Sequence, residues 1–221
     1  LVDGSVASLE RVDYAHRFAV LPHAGLFYSK DGIAPFFAAD LSAVERVAII
    51  SPSHYANLAP NVLASAPLSA CETPLGELAV TNFSFSESRY FSAVQSEHAL
   101  EMVLPYLAHL DNPPSVSLAM VSRTSDPSVI HAMAALLIDE LGRDALERGR
   151  AALIASSDFT HYGPRFGYTP YQSQAHQRVK EDDMALSTML SEGKIEEAHA
   201  FCVLHRRTVC GCSASLIAAS M

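Results

Sequence analysis

The sequence contains no uninterrupted apolar run of about 18 residues, so it offers no candidate for a membrane-spanning helix. It also lacks a glycine-rich phosphate loop, an HExxH motif, a CxxC pair and a GxSxG motif. Nucleotide hydrolysis, zincin proteolysis and α/β-hydrolase chemistry therefore have no support in it. Positive charge is scarce, because 15 Lys and Arg residues face 24 Asp and Glu residues, and the net charge is −9 with neutral histidines. Binding to a nucleic-acid backbone requires clustered positive charge, so we expect neither a nucleic-acid nor a membrane partner.

Cysteine is also sparse. Four cysteines among 221 residues are too few for a disulfide scaffold, so we expect reduced thiols and a cytoplasmic protein. Ten histidines, by contrast, are many for this length, and some of them could bind a metal ion. Hydrophobic residues make up 49% of the chain, and no linker divides it, which indicates one domain over residues 1–221.

Short apolar runs alternate with amphipathic patterns along the chain. The runs predict strands over residues 17–21, 46–50, 62–64, 116–121 and 151–155. The patterns predict helices over residues 32–41, 96–110, 126–142, 174–190, 195–204 and 213–221. This alternation predicts an α/β fold with a largely parallel sheet that helices cover on both faces.

Three of the predicted strands end in side chains that can bind metals. His23 follows the first strand, His54 follows the second, and Asp158 and His161 follow the strand that ends near residue 155. Parallel sheets bind ligands outside the carboxyl ends of their strands, and neutral imidazole is the commonest metal ligand. A single histidine in such a position is more often an ordinary polar residue, and Asp158 alone is more often a turn former. Their coincidence at one sheet edge predicts a metal site.

The segment around Cys210 is a second candidate. A thiolate is a strong, soft metal ligand, and Gly211 would let the backbone turn tightly beside it. Cys210 and Cys212 could also form a redox pair, although their two-residue separation would strain a disulfide. Buried small apolar residues are the third interpretation, which the pattern alone favours.

Glu97 and His98 lie in the first turn of the predicted helix over residues 96–110. Both could orient a metal-bound histidine through hydrogen bonds. The general preference for acidic residues at helix N-termini explains Glu97 equally well.

Six short motifs occur in a fixed order along the chain. They are Pro22-His23-Ala24-Gly25, Ser51-Pro52-Ser53-His54, Glu72-Thr73-Pro74-Leu75-Gly76, Glu97-His98-Ala99-Leu100-Glu101, Ser156-Ser157-Asp158-Phe159-Thr160-His161 and Thr208-Val209-Cys210-Gly211. Together they resemble the Memo family, also called AmmeMemoRadiSam system protein B, from near Phe18 to the end of the chain. Family members continue beyond this end, so we expect terminal segments to be missing.

The resemblance implies a fold similar to the class III extradiol dioxygenases, the LigB-like group. It implies iron, or alternatively copper, bound by His23, His54 and Cys210. His161 would serve as the catalytic acid or base, and Asp158 would hydrogen-bond a ligand or His161.

The resemblance also implies a metal-dependent redox protein, an oxidoreductase related to non-haem iron dioxygenases. Ring-cleaving relatives use a carboxylate where this chain has Cys210, which argues against standard extradiol cleavage. Many Memo proteins also carry Arg-His after Cys-Gly, where this chain has Cys212-Ser213. The alternative is a non-catalytic module that binds a peptide or phosphopeptide through a relic active site. Expected partners are a small-molecule or peptide ligand and, from the name of the system, a radical-SAM protein.

Overall fold

In the computed structural model, which describes residues 17–221, a five-stranded sheet lies at the centre and a separate hairpin lies beside it. The strands are β1 (Phe18–Leu21), β2 (Arg46–Pro52), β3 (Leu63–Ala64), β4 (Ala70–Thr73), β5 (Gly76–Ala79), β6 (Ser115–Val121) and β7 (Ala151–Ser156). The helices are α1 (Leu26–Phe37), α2 (Phe91–Ser96), α3 (His98–Glu101), α4 (Leu104–Ala108), α5 (Pro127–Leu141), α6 (Arg143–Glu147), α7 (Ala175–Ser191), α8 (Ile195–Leu204) and α9 (Cys212–Ala219). Residues 1–16 of the predicted single domain lie outside the described residues.

The strands of the central sheet follow the order β1-β7-β2-β6-β3. The first four are parallel, and the short β3 pairs antiparallel with β6. Leu21 lies opposite Ser156, and Pro52 lies opposite Val121, so the carboxyl ends of the parallel strands form one edge. The predicted α/β fold with a largely parallel sheet is therefore confirmed, while the likeness to the LigB group stays a prediction.

Alternate residues of each strand enter two different hydrophobic cores. In β2, Val47 and Ile49 pack on the side covered by α1 and by α2 to α4. Ala48 and Ile50 pack on the other side, against α5 and against α7 to α9. Burial of apolar surface on both faces is the main stabilising contribution to such a sheet. It also confirms the prediction that helices cover both faces.

The predicted helix over residues 96–110 is wrong, because this stretch holds the last residue of α2 and then two separate short helices, α3 and α4. Ser96 ends α2 instead of capping a helix. Glu97 is extended, and its side chain accepts the N–H of Ala99 as the N-cap of α3. Pro105 then stands in the first turn of α4, where its missing N–H breaks no hydrogen bond.

The predictions for other helices fit better. Asp126 caps α5 by accepting the N–H groups of Ser128 and Val129, and Gly142 follows its last residue with a φ of +83°. Helix α8 has the predicted bounds, whereas α1 begins and ends earlier than predicted. Among residues 17–221, no helix combines the length and the apolar character needed to cross a bilayer.

Candidate metal centre

Three histidines from three different elements lie together at the carboxyl edge of the sheet. His23 follows β1 by two residues, His54 follows β2 by two residues, and His98 is the first residue of α3. Their ring centroids are 5.1 Å apart for His23 and His54, 5.4 Å for His23 and His98, and 4.7 Å for His54 and His98. One ligand nitrogen from each ring lies within 4.8 Å of the other two, so the three could hold one metal ion.

Each of the three rings has its Nδ1 atom hydrogen-bonded to a neighbouring side chain. The pairs are His23 with the hydroxyl of Ser156 (2.9 Å), His54 with the carboxylate of Glu97 (2.7 Å) and His98 with the hydroxyl of Tyr55 (3.1 Å). Such bonds fix the orientation of an imidazole and leave its other nitrogen for a metal. Nε2 is therefore the atom that each ring can offer to an ion.

Glu97 explains how His54 is held. Its side chain is only 1% exposed, and its two oxygens accept the backbone N–H of His54 (2.6 Å) and the Nδ1 proton of the same ring. Burial raises the pKa of Glu97, but the hydrogen bonds from His54 and Ala99 lower it more, so the carboxyl group stays ionised. Glu97 therefore fixes both the ring and the backbone of His54, while its role in supporting a bound metal stays a prediction.

Cys210 reaches the same place from the segment before α9. Its sulfur lies 3.2 Å from Nε2 of His23, and the backbone N–H of Asp158 donates to that sulfur over 3.3 Å. The close approach requires Gly211, because a Cβ atom there would stand 2.4 Å from the carbonyl oxygen of Ser156. The structure thus brings together His23, His54 and Cys210, the three predicted ligands.

The charges of the site favour a cation. Burial raises the pKa of Cys210, but hydrogen bonds with His23 and His54 outweigh it and lower the pKa to about 6. Hydrogen bonds with Cys210 and Glu97 raise the pKa of His54 to about 9. Burial and the positive charge of His54 lower the pKa of His98. At neutral pH a thiolate therefore faces a protonated His54, and a metal cation could replace that proton.

Asp158 and His161 lie in the loop after β7. Oδ1 of Asp158 accepts the backbone N–H groups of His23 (2.9 Å) and Ala24 (3.3 Å), so this carboxylate fixes the loop that carries His23. His161 donates from Nδ1 to the carbonyl oxygen of Thr208 (2.7 Å), which leaves its Nε2 as a proton acceptor. Within residues 17–221, no hydrogen bond joins Asp158 to His161.

A cavity of about 700 Å³ lies beside the Cys210 segment. Residues from the end of α8, the start of α9 and the loops after β2 and β6 line it. Arg123 and Arg206 are exposed residues of this wall and give it positive charge in a chain that is acidic as a whole, whereas the third arginine, Arg207, is ion-paired with Asp182. Such a wall attracts anionic groups.

Comparison with known proteins bears on this site. The family model for Memo-like proteins matches residues 6–221. The chain belongs to this family. A MEMO1 family protein of Schizosaccharomyces pombe is 33% identical over 176 residues, which cover 73% of this chain and 55% of the relative. The memo-1 homologue of Caenorhabditis elegans is 33% identical over 164 residues, which cover 70% of this chain and 45% of the relative.

A MEMO1 family protein of Pyrococcus furiosus is 30% identical over 215 residues, which cover 87% of this chain and 70% of the relative. The Memo-like chain spans about half the length of the yeast and nematode relatives. The resemblance predicted from six short motifs is thereby confirmed at the level of the family.

Two features of this Memo-like site go beyond the sequence prediction. His98 is predicted as a residue that supports a ligand, yet its ring lies in the histidine cluster itself. Tyr55 is not predicted at all, and its hydroxyl contacts Nδ1 of His98. The sequence offered one signal for Tyr55, which is its position directly after the predicted ligand His54.

Proposed function

We propose that the chain is a metal-dependent redox protein that binds iron, or alternatively copper, through His23, His54 and Cys210. The observation that supports this proposal is the set of three imidazoles whose Nδ1 atoms are all bonded elsewhere, with a sulfur 3.2 Å from one of them. Nitrogen and sulfur donors of this kind suit iron and copper.

The donor chemistry fits such an ion. His98 adds a third imidazole to the cluster, whereas Oδ1 of Asp158 accepts two backbone N–H groups and its Oδ2 lies 4.0 Å from Nε2 of His23. A site of nitrogen and sulfur differs from the two-histidine, one-carboxylate set that suits oxygen chemistry at Fe(II). When bound, the ion would supply one-electron redox chemistry.

The remaining residues handle protons and positions. Nδ1 of His161 carries a proton and donates it in a hydrogen bond to the carbonyl oxygen of Thr208. Nε2 of the same ring can therefore accept a proton from a substrate and return it. Asp158 holds the backbone of His23, and Glu97 holds both the ring and the backbone of His54.

Elemental analysis of the protein purified without chelator tests the metal site. We expect stoichiometric metal in the unmodified chain and a large loss of metal in His54→Ala and in Cys210→Ala. The matched controls are His176→Ala, an exposed histidine of α7, and Cys71→Ala, a buried cysteine of β4. Equal metal content in all five proteins would contradict the proposal.

A separate measurement tests the redox part. Protein loaded with Fe(II) or Cu(I) under nitrogen is exposed to oxygen in the presence of ascorbate, and oxygen uptake is followed. We expect uptake that differs from that of the free ion and that is lost in His54→Ala. If the site binds the metal and oxygen uptake equals that of the free ion, the protein binds metal and the proposed oxidoreductase function is contradicted.

A non-catalytic peptide-binding module is the second candidate function, and the arginines of the neighbouring cavity favour it. A phosphopeptide or acidic peptide would place its anionic groups against that wall. Peptide titration of metal-loaded and metal-free protein separates the two functions. Binding that is independent of metal and of His54, together with no oxygen uptake, would support the module.

A further inference from the structure

The cavity of about 700 Å³ beside the Cys210 segment carries charge of one sign only. Arg123 and Arg206 line it, and among residues 17–221 no ion pair engages either guanidinium group. None of the Asp and Glu residues in this part of the chain lines the cavity, although the whole sequence holds 24 of them. Two unpaired cations in a cavity without acidic residues favour an anionic occupant.

Two buried nitrogen atoms of the cavity lining also lack a partner. Nε of Arg207 and Nε2 of His199 have no hydrogen-bond partner within the described part of the chain. The side chain of Arg207 is 5% exposed, and its Nη1 is bonded to Asp182, so only Nε is left over. A buried donor without an acceptor costs free energy, and an acceptor oxygen of a ligand would remove that cost.

The start of α9 adds groups that suit an anion. Ser213 and Ala214, in the first turn of this eight-residue helix, line the cavity. Helix N-termini carry partial positive charge and bind carboxylates and phosphates. The hydroxyl groups of Thr124 and Ser213 lie 3.1 Å apart on the same wall. Guanidinium groups, hydroxyl groups and a helix N-terminus together match the acceptor oxygens of a carboxylate or a phosphate.

The same cavity reaches the proposed metal centre. Cys210 lines it, and the sulfur of Cys210 lies 3.2 Å from Nε2 of His23. Arg206 precedes Cys210 by four residues, a stretch of chain that spans at most about 14 Å. A molecule held by the arginines therefore needs only a short body to reach the sulfur. The volume of the cavity is typical of a pocket for a small molecule.

We propose that this cavity is the substrate pocket of the metal centre, and that its substrate is a small organic anion with a carboxylate or a phosphate ester group. Arg123 and Arg206 bind the anionic group, and the rest of the molecule extends towards Cys210. That the anion is a substrate rests on the proposed function, whereas its binding in the cavity does not. A phosphopeptide would use the same wall, and it is the competing outcome of the test.

The test uses the full chain freed of metal with chelator. Isothermal titration calorimetry measures the binding of succinate, of glycerol phosphate and of uncharged succinamide. We expect at least one of the two anions to bind and succinamide not to bind. Arg123→Gln and Arg206→Gln should each weaken the binding about 10–100-fold, the loss typical of a hydrogen bond between charged groups. The matched control is Arg143→Gln, which removes the same charge from an exposed site of α6 and should leave the affinity unchanged.

Thiol alkylation locates the bound anion. In the metal-free chain, saturation with the anion should slow the reaction of Cys210 with iodoacetamide, as measured by mass spectrometry of the digested protein. This protection should be lost in Arg206→Gln. In protein loaded with Cu(II), the same saturation should shift the absorption band of the copper–thiolate bond. An unchanged band would show that the anion binds away from the metal and is not its substrate.

One variant separates this proposal from the proposed function. His54→Ala removes a proposed metal ligand, yet it should bind the anion as tightly as the unmodified metal-free chain. The proposal is overturned if neither anion binds more tightly than succinamide, or if Arg143→Gln loses as much affinity as Arg206→Gln. It is also overturned if a phosphorylated peptide binds and both small anions do not, a result that would support the peptide-binding module.

Discussion

Among single residues, Glu97 combines two tasks that usually belong to different side chains. It caps α3 by accepting the N–H of Ala99, and it orients His54 by accepting both its backbone and its ring N–H. A buried carboxylate is costly unless hydrogen bonds satisfy it, and here they come from the ligand that it positions. Removing its charge should therefore weaken the metal site directly.

Glu97→Gln is expected to lower the affinity for Fe(II) or Cu(I) by about 10–100-fold, because an amide cannot accept both hydrogen bonds from His54. Metal titration by calorimetry measures the change. The control is Glu101→Gln, an exposed glutamate at the other end of α3, which should bind the ion as the unmodified chain does. Equal affinities for the two variants would show that Glu97 does not support the site.

The sequence predicts some of these residues and not others for a physical reason. His23 and His54 follow apolar strands, so the strand pattern alone places them at one edge of the sheet. The roles of His98 and Tyr55 depend on contacts across 43 residues of chain, which no local pattern encodes.

Between elements, the contact of the Cys210 segment with the end of β7 decides whether sulfur joins the histidines. Gly211 lies against Ser156 and Ser157, and its N–H donates to the hydroxyl of Ser157 (3.1 Å). Any side chain at this position would push the segment away from the strand.

Gly211→Ala is expected to lower the free energy of unfolding by about 1–3 kcal/mol, the usual cost of overpacking, and to weaken metal binding as Cys210 moves. Urea denaturation and metal titration measure the two effects. Gly25→Ala is the matched control, because a Cβ atom there meets nothing within 4 Å. Similar losses in both variants would refute the role given to Gly211.

The predicted helix over residues 96–110 is broken by contacts between elements. Helical periodicity runs through the whole stretch, yet Glu97 leaves helical geometry to reach His54. Tertiary contacts with the site outweigh local propensity here. By contrast, the predicted helix over residues 126–142 agrees with α5 and its two caps, Asp126 and Gly142, so that prediction is confirmed.

A second connection between elements joins α7 to the segment after α8. Asp182 accepts hydrogen bonds from Arg207, whose side chain is 5% exposed, and from the hydroxyl of Tyr171. Burial raises the pKa of Asp182, but the hydrogen bonds from Arg207 and Tyr171 lower it by more, so the pKa of Asp182 is lowered overall. Its folded pKa therefore lies below its unfolded value, so ionised Asp182 stabilises the fold at neutral pH, and this is lost as the pH falls through the folded pKa.

Asp182→Asn is expected to lower the free energy of unfolding by about 2 kcal/mol at pH 7, the value typical of a hydrogen bond to a charged group. The difference from the unmodified chain should shrink as the pH falls below about 4. Urea denaturation at several pH values measures both. Burial is the main cause that raises the pKa of the neighbouring Asp183, and it acts in both proteins, whereas the smaller contribution from the charge of Asp182 is lost in the variant. Asp139→Asn, at an exposed site of α5, should show no such pH dependence, and a constant gap for Asp182→Asn would contradict the argument.

For the whole molecule, a bound ion would join parts of the chain that are far apart in sequence. His23 and His54 follow β1 and β2, and Cys210 lies in the segment before α9. An ion that binds only this arrangement stabilises the folded state through its affinity.

Saturation with metal at about 100 times the dissociation constant is expected to stabilise the fold by about 2.7 kcal/mol. For a domain of this size that corresponds to a melting temperature about 5–10 °C higher than in the chelated protein. Differential scanning calorimetry of both forms measures the shift. His54→Ala should melt at the same temperature with and without the ion, and a shift of equal size in that variant would place the ion elsewhere.

The two-sided packing of β2 also limits how this gene can change in length. Val47 and Ile49 face one core while Ala48 and Ile50 face the other, so one inserted or deleted codon within the strand would turn every following side chain over. The same change would move His54 by about 3.3 Å along the strand axis, out of line with its neighbours. Insertions and deletions in natural variants should therefore collect in the loops, whereas β2 should evolve by substitution alone.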